Sequence, residues 1–579
     1  MSDTEAAARA GAAAGHTLAV PGKGARERAR DWLVIVLPAA VTLIVGGYRL
    51  GGASMWRDEA YTKEVVTRSP GQIIALLGHQ DAVHGAYYML MHEVTGLTGT
   101  SAAGLRLPSL IAMVITASFT AAAGRRLALL AGGPAPAVTG LLAGLVFATA
   151  PAMTWYAQDA REYATVTMLA TIATYLFVRA VPDGRWGWWA GYGAAVALTG
   201  FFNLFAVLIV VAHALSLLMA RLRVRAGRGT PAAAPAGGGV PAPAAAPDAP
   251  GAAAPPGTRI APPGTRIGAP GTRIGALPDG RLAARWLAAV VAAGIVLTPL
   301  AWASYGQRGQ ISWLTAPSYG TVVKLVTSFA GSRTLAVPFA VLAIGGAAAG
   351  LAAHRGRPLS PGVVALPWLV APPVILIAVS YLHPVYDARY IEFCLPALAI
   401  LVAAGLAWLG RLAALTPLSR ARLAWLPPAV AAVALAVALI APQQSIRLSS
   451  ARPDNLRKIS AILAASEKPG DAVLYIPMQA HALSEAYPAP FRRLRDLALA
   501  RSPRASATLN GILVSPAVLR KRFTGVRRVW IVAEESGGHI PAPSDALERT
   551  EMSLVSGMNL VRQWRANEDI LALYAAPSR

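Results

Sequence analysis

The sequence predicts a polytopic α-helical membrane protein, a bundle of about eleven spans followed by a small α/β domain. Three observations predict it. The 579 residues are 55% hydrophobic and only 14% charged, with a mean hydropathy of +0.48; ordinary soluble domains carry about 25% charged residues. Apolar runs near the ~20 residues that cross a bilayer recur between residues 33 and 442. From residue 443 the apolar runs shorten to strand length.

The spans read as 33–50, 101–123, 137–154, 160–179, 187–201, 204–220, 285–303, 336–353, 363–381, 390–410 and 425–442. The fifth is short and reads as half of a broken pair with the sixth. A basic tail, residues 1–31, carries Lys23, Arg26, Arg28 and Arg30 ahead of the first span. No small-residue cleavage site follows, so the first span reads as a retained signal anchor.

Lys and Arg gather in cytoplasmic loops. With the N-terminus inside, the cytoplasmic loops are Arg125-Arg126, Arg179 to Arg185, Arg221 to Arg285, Arg355 to Arg357 and Arg411 to Arg422. The outer loops hold Asp58, Glu59, Asp81, Asp159 and Asp387. The expected product is a multi-pass plasma-membrane protein with a cytoplasmic N-terminus and an extracytoplasmic C-terminal domain. The net charge of +24 would suggest nucleic acid in a soluble chain. Sorted this way it reads as topology, and no nucleic-acid partner is expected. The single cysteine, Cys394, excludes an intrachain disulfide and lies in an apolar run, as a small core residue would.

Composition divides the rest. Residues 32–220 form an N-terminal transmembrane module that carries the outer loops, and 285–442 a second one. Between them, 221–284 is an Ala/Pro/Gly tract with three GTRI copies at seven-residue spacing (257–260, 264–267, 271–274). Its apolar content is too low to fold, which makes it a disordered cytoplasmic linker. In 443–579, strand-like runs at 472–476, 529–532 and 570–574 alternate with helix-like stretches at 453–466 and 484–500, the pattern of an α/β domain. Its excess of basic residues is either an ordinary solvated surface or a site for anionic lipid or polymer.

Chemistry concentrates in the outer loops. Asp58 and Glu59 sit just beyond the first span, hydrated enough to ionise; one suits a general base, the other a metal or sugar hydroxyl. Alone, the pair reads as a solvated helix start. The same loop continues to His84, Tyr87 and Tyr88, and the next outer loop carries Tyr156, Gln158, Asp159, Arg161, Glu162 and Tyr163. Asp159 and Glu162, three apart, would share a helix face. Tyr386, Asp387, Arg389 and Tyr390 open the tenth span, where an arginine suits a phosphate fork. Belt aromatics and snorkelling arginines are the plainer readings of these residues one at a time. Topology puts all of them at one depth on one side, as chemistry on a lipid-borne phosphate requires.

Three motifs carry a resemblance: Trp56-Arg57-Asp58-Glu59-Ala60; His84 with Tyr87-Tyr88 ahead of Leu105-Arg106-Leu107-Pro108-Ser109; and Tyr156 with Gln158-Asp159-Ala160-Arg161 and Tyr163-Ala164. Together they resemble bacterial membrane glycosyltransferases of family 39, relatives of the protein O-mannosyltransferases and the aminoarabinose transferase in the type C glycosyltransferase class. Arg389-Tyr390 before an apolar span fits, and the resemblance covers residues 30–445. It departs at His84-Gly85-Ala86-Tyr87, where the family commonly has His-Pro-Pro-Leu-Tyr; that puts the local helix start in doubt. The resemblance implies a type C bundle with amphipathic outer helices, 70–80 being one. It also implies a polyprenyl-monophosphate sugar donor, with mannose a candidate sugar, and inverting transfer to an acceptor protein, lipid or polysaccharide. It makes Asp58 the base, with Glu59 and Asp159 positioning acceptor or metal. His84, Arg161 and Arg389 would contact donor phosphate or sugar. Tyr88, Tyr156, Gln158, Glu162, Tyr386, Asp387 and Tyr390 complete the expected substrate-binding set. A divalent metal cofactor is left open. Two rivals remain: a transporter or flippase of a lipid-linked saccharide, and a lipid-linked polymerase or ligase.

Overall fold

The computed structural model describes residues 25–228, 280–353, 357–417, 422–535 and 539–577. The tail before residue 25 and the tract at 229–279 with its GTRI copies lie outside the described residues.

Among the described residues, nine helices are long and apolar enough to cross a membrane: Ala29–Gly47, Ala102–Leu130, Tyr163–Asp183, Leu204–Ala226, Gly280–Gly306, Arg333–Ala352, Pro361–Ser380, Ala388–Ala414 and Leu426–Ser445. A tenth is the pair Pro136–Thr149 and Pro151–Ala157, bent by 61°. Pro151 cannot donate to the ladder of the preceding helix, and Ala150 is extended (φ −65°, ψ 130°), so the helix breaks there. The expected eleventh, at 187–201, is the helix Trp186–Phe202. Its 17 residues rise about 26 Å, short of a ~30 Å hydrocarbon core. The break therefore lies in the third expected span, and the sixth begins as a separate helix. There Asn203 Oδ1 accepts from Phe205 N (3.0 Å) and starts a 3-10 turn.

Close helix contact rests on glycine. A Cβ on Gly346 would lie 2.0 Å from the Leu401 carbonyl oxygen, and one on Gly405 2.1 Å from that of Leu342, so Arg333–Ala352 and Leu395–Ala414 meet backbone to backbone. Cys394 is buried nearby. The loops read as basic and cytoplasmic gather at one end of the bundle: Arg126 and Arg179 both reach Asp183, and Arg223 donates to the Ala353 carbonyl (2.6 Å).

The opposite end carries three short helices, Arg57–Val66, Pro70–Leu77 and Gly85–Thr98, and the sheet domain. The helix 70–77 is set by a capping box between Ser69 and Gln72. A Cβ on Gly85 would lie 2.9 Å from Leu77 Cδ1. A 3-10 turn, Ala82–His84, leads into the helix that Gly85 begins.

The domain's strands are β1 (Ala472–Ile476), β2 (Arg495–Asp496), β3 (Leu499–Arg501), β4 (Ile512–Leu513), β5 (Arg528–Glu534), β6 (Asn559–Ala566) and β7 (Asp569–Ala575). Five form a mixed sheet in the order β2-β1-β5-β7-β6, and β3 pairs with β4. β1 runs parallel to β2 and β5, while β7 is antiparallel to β5 and β6. The three expected strands are present. The stretch 484–500, expected helical, holds the end of the helix Ala482–Ala486, a 3-10 turn, the short strand Arg495–Asp496 and the start of another, because Pro488 and Pro490 stop the helix. The domain is not a pendant: Leu456, Leu463 and Trp530 share one core with Met55, Ala60, Ile73 and Tyr87.

Candidate active site

Position in the first turn of Arg57–Val66 separates the two adjacent acids. Successive helical residues point about 100° apart. Asp58 faces a cavity of about 500 Å³ between the helical bundle and the sheet domain. Glu59 faces inward, 1% exposed, and its carboxylate is gripped in a fork by Arg106: Nε to Oε1 at 2.7 Å and Nη2 to Oε2 at 2.6 Å. Arg106 spends its other donors on the carbonyls of Leu50, Ala53 and Ser54, and Glu59 Oε1 also accepts from Ala160 N (2.9 Å). Burial alone would raise the Glu59 pKa; the charge and hydrogen bonds of Arg106 hold it below the usual carboxylate value. Glu59 is a bracket joining both loops to the helix 102–130.

Asp58 Oδ2 accepts from Arg389 Nη1 at 2.6 Å, across 331 residues of sequence. Arg389 also pairs with Asp387 (3.2 Å). Its guanidinium lies 5.9 Å from the Trp56 ring, 5.5 Å from Trp313 and 5.8 Å from Tyr390. Three rings and two carboxylates thus fix one fork of donors at the cavity wall.

The second cation is Arg161. Its Nη2 donates to His84 Nε2 (3.0 Å), while Nδ1 of the same ring faces Glu162 Oε1 (3.3 Å). Glu162 is buried, which opposes ionisation, but Arg161 and His84 bring its pKa down to about 2. Asp81 sits at left-handed φ 58°, its carboxylate accepting from Tyr88 OH (2.7 Å). Gln307 and Gln310 hold the backbone N–H groups of Ala82 and Asp81 from the far wall (2.9 and 3.2 Å).

Asp159 stands behind this wall, 1% exposed. Its Oδ1 accepts from Trp56 Nε1 (2.9 Å), the ring that lies against Arg389. Burial, opposed by Arg452 and reinforced by Glu59, pushes its pKa up to about 6. Arg452, from the start of the sheet domain, lies 3.9 Å over Trp155 and donates to the carbonyls of Trp155 (3.0 Å) and Gln158 (2.5 Å).

A family model described as dolichyl-phosphate-mannose-protein mannosyltransferase matches residues 86–231. Among solved structures, ArnT from Cupriavidus metallidurans is similar in two states. The apo form has a TM-score of 0.54 at 14% identity. The form bound to undecaprenyl phosphate has 0.56 at 15%. Each match covers 94% of this chain and 98% of that one. The chain is a membrane protein with the type C glycosyltransferase fold. No curated protein matches it by sequence.

In this type C fold, six of the residues expected from sequence meet at the cavity: Asp58, His84, Arg161, Glu162, Arg389 and Tyr390. The other seven do not line it. Glu59 and Asp159 serve the brackets described above, and Tyr88 holds Asp81. Gln158 donates to the carbonyls of Gly46 and Tyr48 (2.8 and 3.0 Å). Tyr156 packs edge-on against Tyr163 (5.8 Å). Asp387 supports Arg389, and Tyr386 is buried. Tyr61, Trp313, Gln307 and Leu509 line the cavity without having been singled out. Tyr61 stands one turn beyond Asp58, which the helix period would have shown. Trp313 and Leu509 come from distant segments with no local signal.

Two cavity residues, Leu204 and Phe205, also belong to an apolar groove with Leu208, Val211, Ile375 and Val379 that runs down the bundle. The charged chamber therefore continues into an apolar slot. Among the described residues, no group of three or more His, Cys, Asp or Glu side chains is placed to hold a metal ion.

Proposed function

We propose that this chain is an inverting glycosyltransferase that moves a sugar, mannose being a candidate, from a polyprenyl-monophosphate donor to a hydroxyl outside the cytoplasm. The observation that carries it is the Asp58–Arg389 pair at the mouth of a cavity that shares Leu204 and Phe205 with an apolar groove. A lipid phosphate needs both halves: a groove for the chain and cations for the phosphate. Undecaprenyl phosphate in the solved ArnT complex is such a molecule.

The acceptor hydroxyl attacks the anomeric carbon on the face opposite the phosphate. The new C–O bond forms as the bond to the phosphate oxygen breaks, and the configuration inverts. Asp58 takes the hydroxyl proton. Polyprenyl phosphate leaves, its growing charge held by Arg389 and Arg161. In the free enzyme Arg389 occupies Asp58 Oδ2; Oδ1 has no hydrogen-bond partner among the described residues and is the oxygen open to the acceptor. The basic loops at the far end of the bundle support a cytoplasmic N-terminus and an extracytoplasmic sheet domain.

The groove gives the test. Leu208→Trp fills it without touching the charged chamber. The Michaelis constant for a long-chain polyprenyl-phosphate sugar should rise about tenfold, the scale for losing a few buried methylenes, while that for a short-chain analogue stays put. Equal effects on both donors would remove the groove as the lipid site.

A further inference from the structure

Between Phe491 and Arg528 the sheet domain carries ten Lys and Arg residues against one acid, Asp496. Nine of them, all but Arg528, are exposed and give this part of the domain a basic surface. Arg495 donates to the Arg522 carbonyl (3.1 Å), Arg522 to those of Leu497 and Leu499, and Arg501 to that of Ala505 (2.7 Å). Among the described residues only Arg493 and Arg528 of the ten have an acid partner, Glu467 and Asp471. Asp496 itself faces His481. Like charges gathered this densely repel one another and hold a positive potential over the surface.

This surface leads to the active-site cavity. Arg504 donates to Thr67 at the end of the helix 57–66 (3.1 Å). The loop then runs back along that helix: Arg68 donates to the Thr508 carbonyl (2.6 Å), and Tyr61 OH donates to Asn510 Oδ1 (2.7 Å). Leu509 lines the cavity together with Asp58 and, among the described residues, is the one residue of the sheet domain that does. The apolar groove meets the cavity at Leu204 and Phe205, which belong to the helical bundle and not to the sheet domain. With the groove taken as the donor's lipid site, the sheet domain is left as a basic approach for the acceptor.

We propose that the 491–528 surface binds a polyanionic acceptor, a polymer bearing phosphate or carboxylate groups, and feeds its hydroxyl past Leu509 to Asp58. This rests on the glycosyltransferase reading. An anionic bilayer is the competing partner, since polybasic surfaces attract anionic lipid without aromatic anchors; the path of contacts from Arg504 through Thr508 to Leu509 at the cavity favours the acceptor.

The test uses the full chain in zwitterionic nanodiscs, with fluorescent inorganic polyphosphate as probe and anisotropy as readout. No donor or turnover is involved, so the result stands apart from whether the chain transfers sugar. Binding should weaken steeply with salt. Arg501→Glu, Arg520→Glu and Lys521→Glu together should weaken it about tenfold or more, and the corresponding Gln triple by less. Arg562→Glu, on the opposite edge strand β6, should leave it unchanged. Equal binding by the wild type and both triples overturns the proposal. So does unchanged polyphosphate binding with lost co-sedimentation on phosphatidylglycerol vesicles, which would assign the surface to the membrane.

Discussion

Glu59→Gln is the substitution that most sharply separates the two adjacent acids. The side chain is 1% exposed and bonded at 2.6 and 2.7 Å to Arg106, itself 0% exposed. Removing its charge strands a buried guanidinium. Breaking such a pair from one side costs about 3–5 kcal/mol. The lower end applies, because Gln keeps an acceptor and Arg106 retains the carbonyls of Leu50, Ala53 and Ser54. About 3 kcal/mol should lower the apparent melting temperature in detergent by on the order of a few degrees. Transfer activity should fall in step with the folded fraction. Asp58→Asn should show the reverse, an unchanged melting temperature with activity lost. If Glu59→Gln melts like the wild type yet is inactive, Glu59 takes part in the chemistry and the bracket assignment is wrong.

Three further outcomes are expected. Arg389→Lys keeps the charge but loses the planar fork between Asp58 and Asp387, and kcat/KM for transfer should drop about 10²-fold. Asp159 should make stability fall as pH rises: its folded pKa near 6 lies above the unfolded value near 3.8, so the folded state holds the extra proton between them. Chemical denaturation of Asp159→Asn should lack that decline, leaving it relatively more stable at pH 7 by at most about 3 kcal/mol. Arg57, paired with Asp454 and Glu534, ties the sheet domain to the first loop; Arg57→Ala should speed limited proteolysis near residue 450 several-fold without abolishing membrane insertion.

The spans were legible because apolar length is a local property, and so were β1, β5 and β7, each a short apolar run. The 17-residue helix Trp186–Phe202 and the bend at Pro151 account for the difference between about eleven expected spans and the nine or ten among the described residues, because both are decided by geometry a few residues wide. β6 escaped because Asn559–Ala566 lies largely exposed and has no apolar run. At the site, the motifs named the right loops but not the right faces. Asp58 and Glu59 are neighbours in sequence, yet one meets Arg389 and the other Arg106. Which partner each finds depends on helix phase and on arginines 331 and 47 residues away. The same holds for Asp159, whose carboxylate serves Trp56 rather than the cavity. Leu509 and Trp313 were invisible for a plainer reason: nothing in their own segments marks them until the chain brings them beside Asp58.

The most direct test of the account is transfer of labelled sugar from a polyprenyl-phosphate donor by the purified chain in liposomes. Wild type should transfer with inversion, and Asp58→Asn should retain the fold and donor binding while losing about 10²–10⁴-fold in rate. Full transfer by Asp58→Asn would contradict the assignment of Asp58 as the base and, with it, the reading of the cavity.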